Sequence, residues 1–214
     1  MKRLLSFLLI LSATITTHAQ VTTDVPAKVE KNKKYLFYLH GAIVQSQGED
    51  AVSPAYGKYM YRDIVNALSK KGYHVISEVR PKDATVEGYA KKVSEQVKAL
   101  LGKGVPAGNI VVVGASMGAS IATQAAILTG NKDVKFVVMG MCDENDGSDD
   151  GQKICGNFLS IYEASDHARS CAKYLKGRAC VSNFKEIELK MGNAHGFLYQ
   201  PHKEWMEPLA QWIK

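Results

Sequence analysis

The twelve residues 109–120, Asn-Ile-Val-Val-Val-Gly-Ala-Ser-Met-Gly-Ala-Ser, constrain this chain more than any other stretch. A short β-branched run reads as a buried strand. It passes directly into Gly-x-Ser-x-Gly and then into a run of small residues with helical character. A strand that turns at once into a helix presents Ser116 at the tip of a sharp bend. Gly114 and Gly118 flank it, where side chains would collide as strand and helix pass closely. Ser116 is the candidate nucleophile. Such a serine needs a base, an acid to orient the base, and N–H donors for developing negative charge.

The N-terminus predicts a compartment. Lys2-Arg3 precede a short apolar run over residues 4–11, and Thr17-His18-Ala19 offers small residues at a cleavage site. Residues 1–19 are read as a signal peptide, with Gln20 as the first mature residue. The apolar run is too short to span a bilayer comfortably. Removing 19 residues from 214 leaves 195, a size that suits one α/β domain. The formal charge of +6 includes Lys2 and Arg3, so the mature chain carries +4. The basic residues are dispersed rather than clustered with aromatics, which argues against nucleic-acid binding. Cys142, Cys155, Cys171 and Cys180 read as two disulfides in an exported chain. Three pairings exist. Cys142–Cys155 with Cys171–Cys180 is the expected one, because each closes a short local loop. The spacing lacks the C-x-x-C pairs of a zinc site.

Residues 20–33 are polar and read as an extended lead-in to a single domain over 34–214. Six strands are predicted, at 34–39, 73–79, 110–113, 134–139, 157–162 and 184–190. Helices are predicted from about Pro54 to Lys71, over 86–101 behind a Thr85 cap, from the Ser116 turn to about 128, over 167–175, and from His202 onward. Tyr61, Ile64, Val65 and Leu68 fall on one helical face. Strands alternating with helices predict right-handed β-α-β units in a mostly parallel sheet between helical layers.

In such sheets functional groups gather beyond the carboxyl ends of the strands. Ser116 follows the third predicted strand, Asp166 the fifth and His195 the sixth. His40-Gly41-Ala42 follows the first, where a flexible glycine lets the next N–H turn toward the serine. With Gly114-Ala115-Ser116-Met117-Gly118, His40-Gly41, Asp166 and His195 in this order, the chain resembles the α/β-hydrolase family over residues 34–214. The resemblance implies Ser116 as nucleophile, His195 as general base and acid, and Asp166 as the group that orients His195. It further implies Met117 and Ala42 N–H groups as the oxyanion hole, no cofactor and no metal. Asp143 and Glu163 are alternative acids, and His202 is a reserve base. The chain departs from larger members by lacking strands before residue 34 and any long lid insertion after the fourth strand. It is therefore expected to be a reduced version of that fold.

Other readings are weaker. The acidic loop 143–151 does not match an EF-hand. Gly114 and Gly118 lack the G-x-G-x-x-G spacing of a dinucleotide loop. His167 and His74 read as surface and structural residues. Tyr56 and Tyr59 could offer aromatic surface to a substrate, or pack the first helix. The expected activity is hydrolysis of a small acyl compound, an ester before a thioester or amide, because an alkoxide leaving group asks least of the site. The rival is a binding protein that keeps the fold without the chemistry.

Overall fold

Strands covered on both faces must be apolar at nearly every position. The central strands of this chain meet that condition: Tyr35–Leu39 and Ile110–Ala115 are buried from end to end. In the computed structural model the described residues are 20–143 and 153–214. The expected signal peptide and most of the acidic loop lie outside them.

The chain runs β1 (Gln20–Thr22), β2 (Tyr35–Leu39), α1 (Ala42–Gln47), β3 (Val52–Ser53), β4 (Gly57–Lys58), α2 (Tyr61–Lys70) and β5 (His74–Ile76). It continues as α3 (Val86–Gly102), β6 (Ile110–Ala115), α4 (Met117–Thr129), β7 (Lys135–Met139), β8 (Cys155–Glu163), α5 (Ala172–Leu175), β9 (Cys180–Leu189) and α6 (Lys203–Trp212). Seven strands form one sheet in the order β1-β5-β2-β6-β7-β8-β9, with every neighbouring pair parallel.

Alternation along the strands builds a core on each face. Leu36, Tyr38, Val111 and Val113 meet α2 and α6 through Ile64, Leu68, Trp205 and Leu209. Tyr35, Phe37, Val112 and Phe136 meet α3 and α4 through Val93, Val97, Ile121 and Ala125. Each fully buried aliphatic or Phe side chain contributes about 1.5–3 kcal/mol. Thr85 caps α3 as expected, its Oγ1 accepting the Gly88 N–H at 3.0 Å. The chain leaves β2 toward one edge of the sheet and β6 toward the other, so the crevice between them is the switch point where such sheets place their sites.

Four expectations need correction. The sheet has seven strands rather than six, because the lead-in contributes β1. Three residues are too few to show alternation; tertiary contacts hold them, with His74 bridging Gln20 and Thr22 side chains at 2.9 Å each. The helix expected from Pro54 begins at Tyr61, and residues 52–58 instead form the β3–β4 hairpin, turned at Gly57 with φ 75°. The helix expected over 167–175 is confined to Ala172–Leu175.

The fourth correction concerns covalent structure. The disulfides are Cys142–Cys171 and Cys155–Cys180, with Cα atoms 5.3 and 4.5 Å apart. Parallel topology explains the exchange. Cys142 lies beyond the carboxyl end of β7, whereas Cys155 opens β8 at its amino end. A bond between them would have to reach along the sheet. Cys155 and Cys180 are register partners at the amino ends of β8 and β9. Cys142 meets Cys171 beyond the carboxyl ends instead.

Candidate active site

Ser116 is a sharp elbow. Its φ is 53° and ψ −122°, a conformation that non-glycine residues rarely adopt and that carries about 1–3 kcal/mol of strain. Local packing imposes it. A Cβ on Gly114 would lie 2.2 Å from the Gly118 carbonyl oxygen, and a Cβ on Gly118 would lie 2.0 Å from that of Leu39. Both positions must be glycine for β6, α4 and β2 to pass so closely. The Ser116 N–H donates to the Met139 carbonyl at 2.8 Å, which extends the β6–β7 ladder into the turn. Met117 opens α4, so its N–H precedes the first intrahelical bond.

His195 and Asp166 are paired. Asp166 Oδ2 accepts the His195 Nδ1–H at 2.7 Å, and the carboxylate is fully buried. With Nδ1 so engaged, Nε2 is the nitrogen left to take a proton. The His195 ring lies against the next strand end: a Cβ on Gly140 would be 3.2 Å from its Cε1. Ser116 and His195 thus both abut the Met139-Gly140 step. Burial raises the Asp166 carboxyl pKa, but hydrogen bonds and charge from His195 and His167 overcome this and hold it below its usual 3.8. Asp143 is exposed. Glu163 is buried and does something else. Its Oε1 accepts the N–H groups of Met191 and Gly192 at 3.0 and 3.1 Å; its Oε2 accepts the Ser165 N–H at 2.9 Å and the Ser165 hydroxyl. Ser165 Oγ in turn accepts the Ala194 N–H at 3.1 Å. Glu163 therefore ties the turn carrying Asp166 to the turn carrying His195. Burial raises its pKa, and these donors more than offset that, leaving it below 4.5.

His167 is exposed as expected, yet it also touches the pair. Its Nδ1 lies 2.8 Å from Asp166 Oδ1, and its ring sits 4.8 Å from that of His195. Asp166, His167 and His195 are the described residues that could hold a metal, with one ligand atom from each within 4.8 Å of the others. Imidazoles already occupy both Asp166 oxygens. His202, the reserve base, stands at the N-terminal boundary of α6 without a side-chain cap hydrogen bond, and His74 sits within β5, matching its structural reading.

His40-Gly41 faces the elbow, since a Cβ on Gly41 would lie 3.6 Å from that of Ser116. His40 is buried, with Nδ1 2.9 Å from the Gly41 carbonyl and Nε2 accepting the Arg80 N–H at 3.0 Å. Burial, then the nearby Arg80 charge, lowers its pKa to about 3, so it is neutral. Ala42 is the first residue of α1. The two tyrosines divide. Tyr59 is core, its hydroxyl 2.7 Å from that of Tyr38. Tyr56 is 37% exposed, packs edge-on to Tyr199, and covers Gly196 beside His195. Sequence reasoning missed the roles of Glu163, His167 and Arg80; a carboxylate closing an otherwise apolar strand was the available signal for the first.

The architecture has solved counterparts. A protein of Thermoplasma acidophilum described as a predicted CIB-like hydrolase aligns over 87% of this chain and 88% of its own, with 18% identity and a TM-score of 0.56. This is the α/β-hydrolase fold. An esterase of Pyrobaculum calidifontis shares it at 18% identity, covering 87% of this chain and 76% of that one, with a TM-score of 0.58. The thioesterase domain of a curacin biosynthetic pathway shares it at 13% identity, covering 86% and 92%, with a TM-score of 0.51. No protein-family model matches the chain. No curated protein matches it in sequence. At these identities the likeness establishes the α/β-hydrolase fold alone.

Proposed function

We propose that the protein is an exported serine hydrolase that cleaves small carboxylic esters. One observation carries this reading. Ser116, bent into a positive-φ elbow, and His195, oriented by a buried Asp166, abut the same Met139-Gly140 step.

In this reading Ser116 Oγ attacks the ester carbonyl while His195 Nε2 takes its proton. The tetrahedral oxyanion accepts hydrogen bonds from the Met117 and Ala42 N–H groups. His195 returns the proton to the departing alcohol. Water, activated by the same nitrogen, then releases the acid from Ser116. Asp166, its pKa held low, stays ionised and stabilises the imidazolium throughout. Tyr56, half-open above the His195 turn, offers a surface for the leaving group. Export is supported by residues 1–19 and by two disulfides, which persist in oxidising compartments. Cleavage after Ala19 leaves β1 whole. Among the described residues no helix is long and apolar enough to cross a membrane.

A fluorophosphonate probe tests the reading. Folded wild type is expected to label and to hydrolyse p-nitrophenyl acetate, and Ser116→Ala to do neither. Folded wild type that neither labels nor turns over activated esters would leave a binding protein on this fold.

A further inference from the structure

The chain buries a cation that the reaction above does not use. Arg80 is only 2% exposed, and no carboxylate among the described residues pairs with it. Burying a guanidinium without a counter-ion is costly unless its donors are well used. Its Nη2 donates to the His40 carbonyl at 2.6 Å and reaches the Gly41 carbonyl at 3.4 Å. Its Nε donates to Gln45 Oε1 at 2.9 Å. Gln45 is fixed in turn, its Nε2 donating to the Ala84 and Lys82 carbonyls at 2.8 and 3.2 Å. The guanidinium also lies over the Tyr89 ring, 5.5 Å from its centroid.

We infer that Arg80 is the positioning residue of the oxyanion hole, acting through the peptide between Gly41 and Ala42. The inference rests on the serine hydrolase reading. A trans peptide is planar, with its C=O and N–H directed oppositely. All peptides described here are trans. The Gly41 carbonyl is held by Arg80 and by His40 Nδ1, so the Ala42 N–H is turned away from both. That peptide follows the glycine that packs on Ser116. Neutral His40 completes the clamp: Nε2 accepts from the Arg80 backbone, so Nδ1 carries the proton that reaches Gly41. The cation sits at the negative end of two consecutive peptide dipoles. It holds their positive ends outward and polarises the Ala42 N–H as a donor, in surroundings where screening is weak. The peptide is thus set before substrate arrives, which is the condition for electrostatic stabilisation of a transition state.

The test uses Arg80→Lys and Arg80→Met in the full mature chain. Fluorophosphonate titration counts active sites, and melting temperature and near-ultraviolet circular dichroism report the fold. Removing an oxyanion donor lowers kcat by about 10²–10³-fold, so both variants are expected to lose kcat on that scale while KM moves less than about threefold. The ratio of turnover between an ester and its thionoester is expected to collapse toward unity, because that ratio reads the oxyanion contact and not general stability. Folded Arg80 variants that keep kcat and this ratio within twofold of wild type overturn the inference. If both variants fail to fold, Gln45→Met decides: it loosens the Arg80 fork from one side. A several-fold loss of kcat with a reduced ratio supports the inference, and an unchanged ratio overturns it. Wild type that does not label removes the serine reading itself, and this one with it.

Discussion

Ser116 is placed by close backbone packing around the two glycines that flank it, whereas His195 is held by a carboxylate 29 residues upstream. The Ser116 side depends on missing atoms. Gly114 and Gly118 let three backbone segments meet with no room for a Cβ, and the strained φ of Ser116 follows. The His195 side depends on added bonds. Glu163 gathers three backbone N–H groups and a hydroxyl, and Cys142–Cys171 fastens the turn after β8 to the end of β7. A short motif can specify close backbone packing. Two separate loops cannot be set against one another without long-range ties, and here a buried carboxylate and a disulfide provide them.

The sharpest way to break this contrast is Gly118→Ala. The added Cβ would sit 2.0 Å from the Leu39 carbonyl oxygen, so the variant is expected to lose about 4 kcal/mol or more, or to yield no folded protein. Denaturant unfolding measures it, and a midpoint near wild type would refute the packing account. Next is Asp166→Asn. The amide donates to His195 Nδ1 and so moves the ring proton to Nε2; kcat/KM is expected to fall about 10³–10⁴-fold. Steady-state ester hydrolysis checks it, with the melting temperature showing that the fold survives.

The disulfides separate stability from placement. Replacing Cys142 and Cys171 together by serine, or Cys155 and Cys180 together, is expected to remove about 2–4 kcal/mol in each case, since the closed loops are of similar length. Only the first pair lies at the carboxyl ends, with Cys171 on the loop after β8 that carries Asp166. Only that double variant is expected to lose kcat, by several-fold, when both are assayed at a temperature where they remain folded.

The smallest effect concerns Glu163. Glu163→Gln leaves backbone N–H groups facing an amide and is expected to remove about 2 kcal/mol. Glu163 and Asp166 are both held below their ordinary values in the folded chain, so the unfolded chain binds more protons in mild acid. Their contribution is complete above about pH 4.5 and is lost as pH falls through the folded values. Urea midpoints measured down to about pH 3 should therefore fall less steeply for Glu163→Gln than for wild type. Parallel slopes would show that Glu163 is not the tie assigned to it.

Much of this molecule is written in periodicities that need no third dimension. The β-branched run before Ser116, the glycines around it, the helical face of Tyr61, Ile64, Val65 and Leu68, and the order Ser116, Asp166, His195 all survive in the folded chain. They are local, or follow from the rule that parallel strands point the same way. What escaped is non-local. Gln20–Thr22 is a strand only because β5 presents His74 to it. Arg80 follows a predicted strand and precedes Pro81, a place with no signal of burial, and its burial depends on carbonyls about 40 residues away. The cysteines looked like neighbours because short loops join them, yet in a parallel sheet the chain must return along the full strand before each new one begins. Residues adjacent in sequence then lie at opposite ends, and residues at the same end become partners. The sequence determined which side chains would be available and which strand end each would follow. The tertiary structure alone decided which cysteines bond, which carboxylate turns to His195 and which braces the loops, because those choices depend on distances across the sheet that no local pattern records.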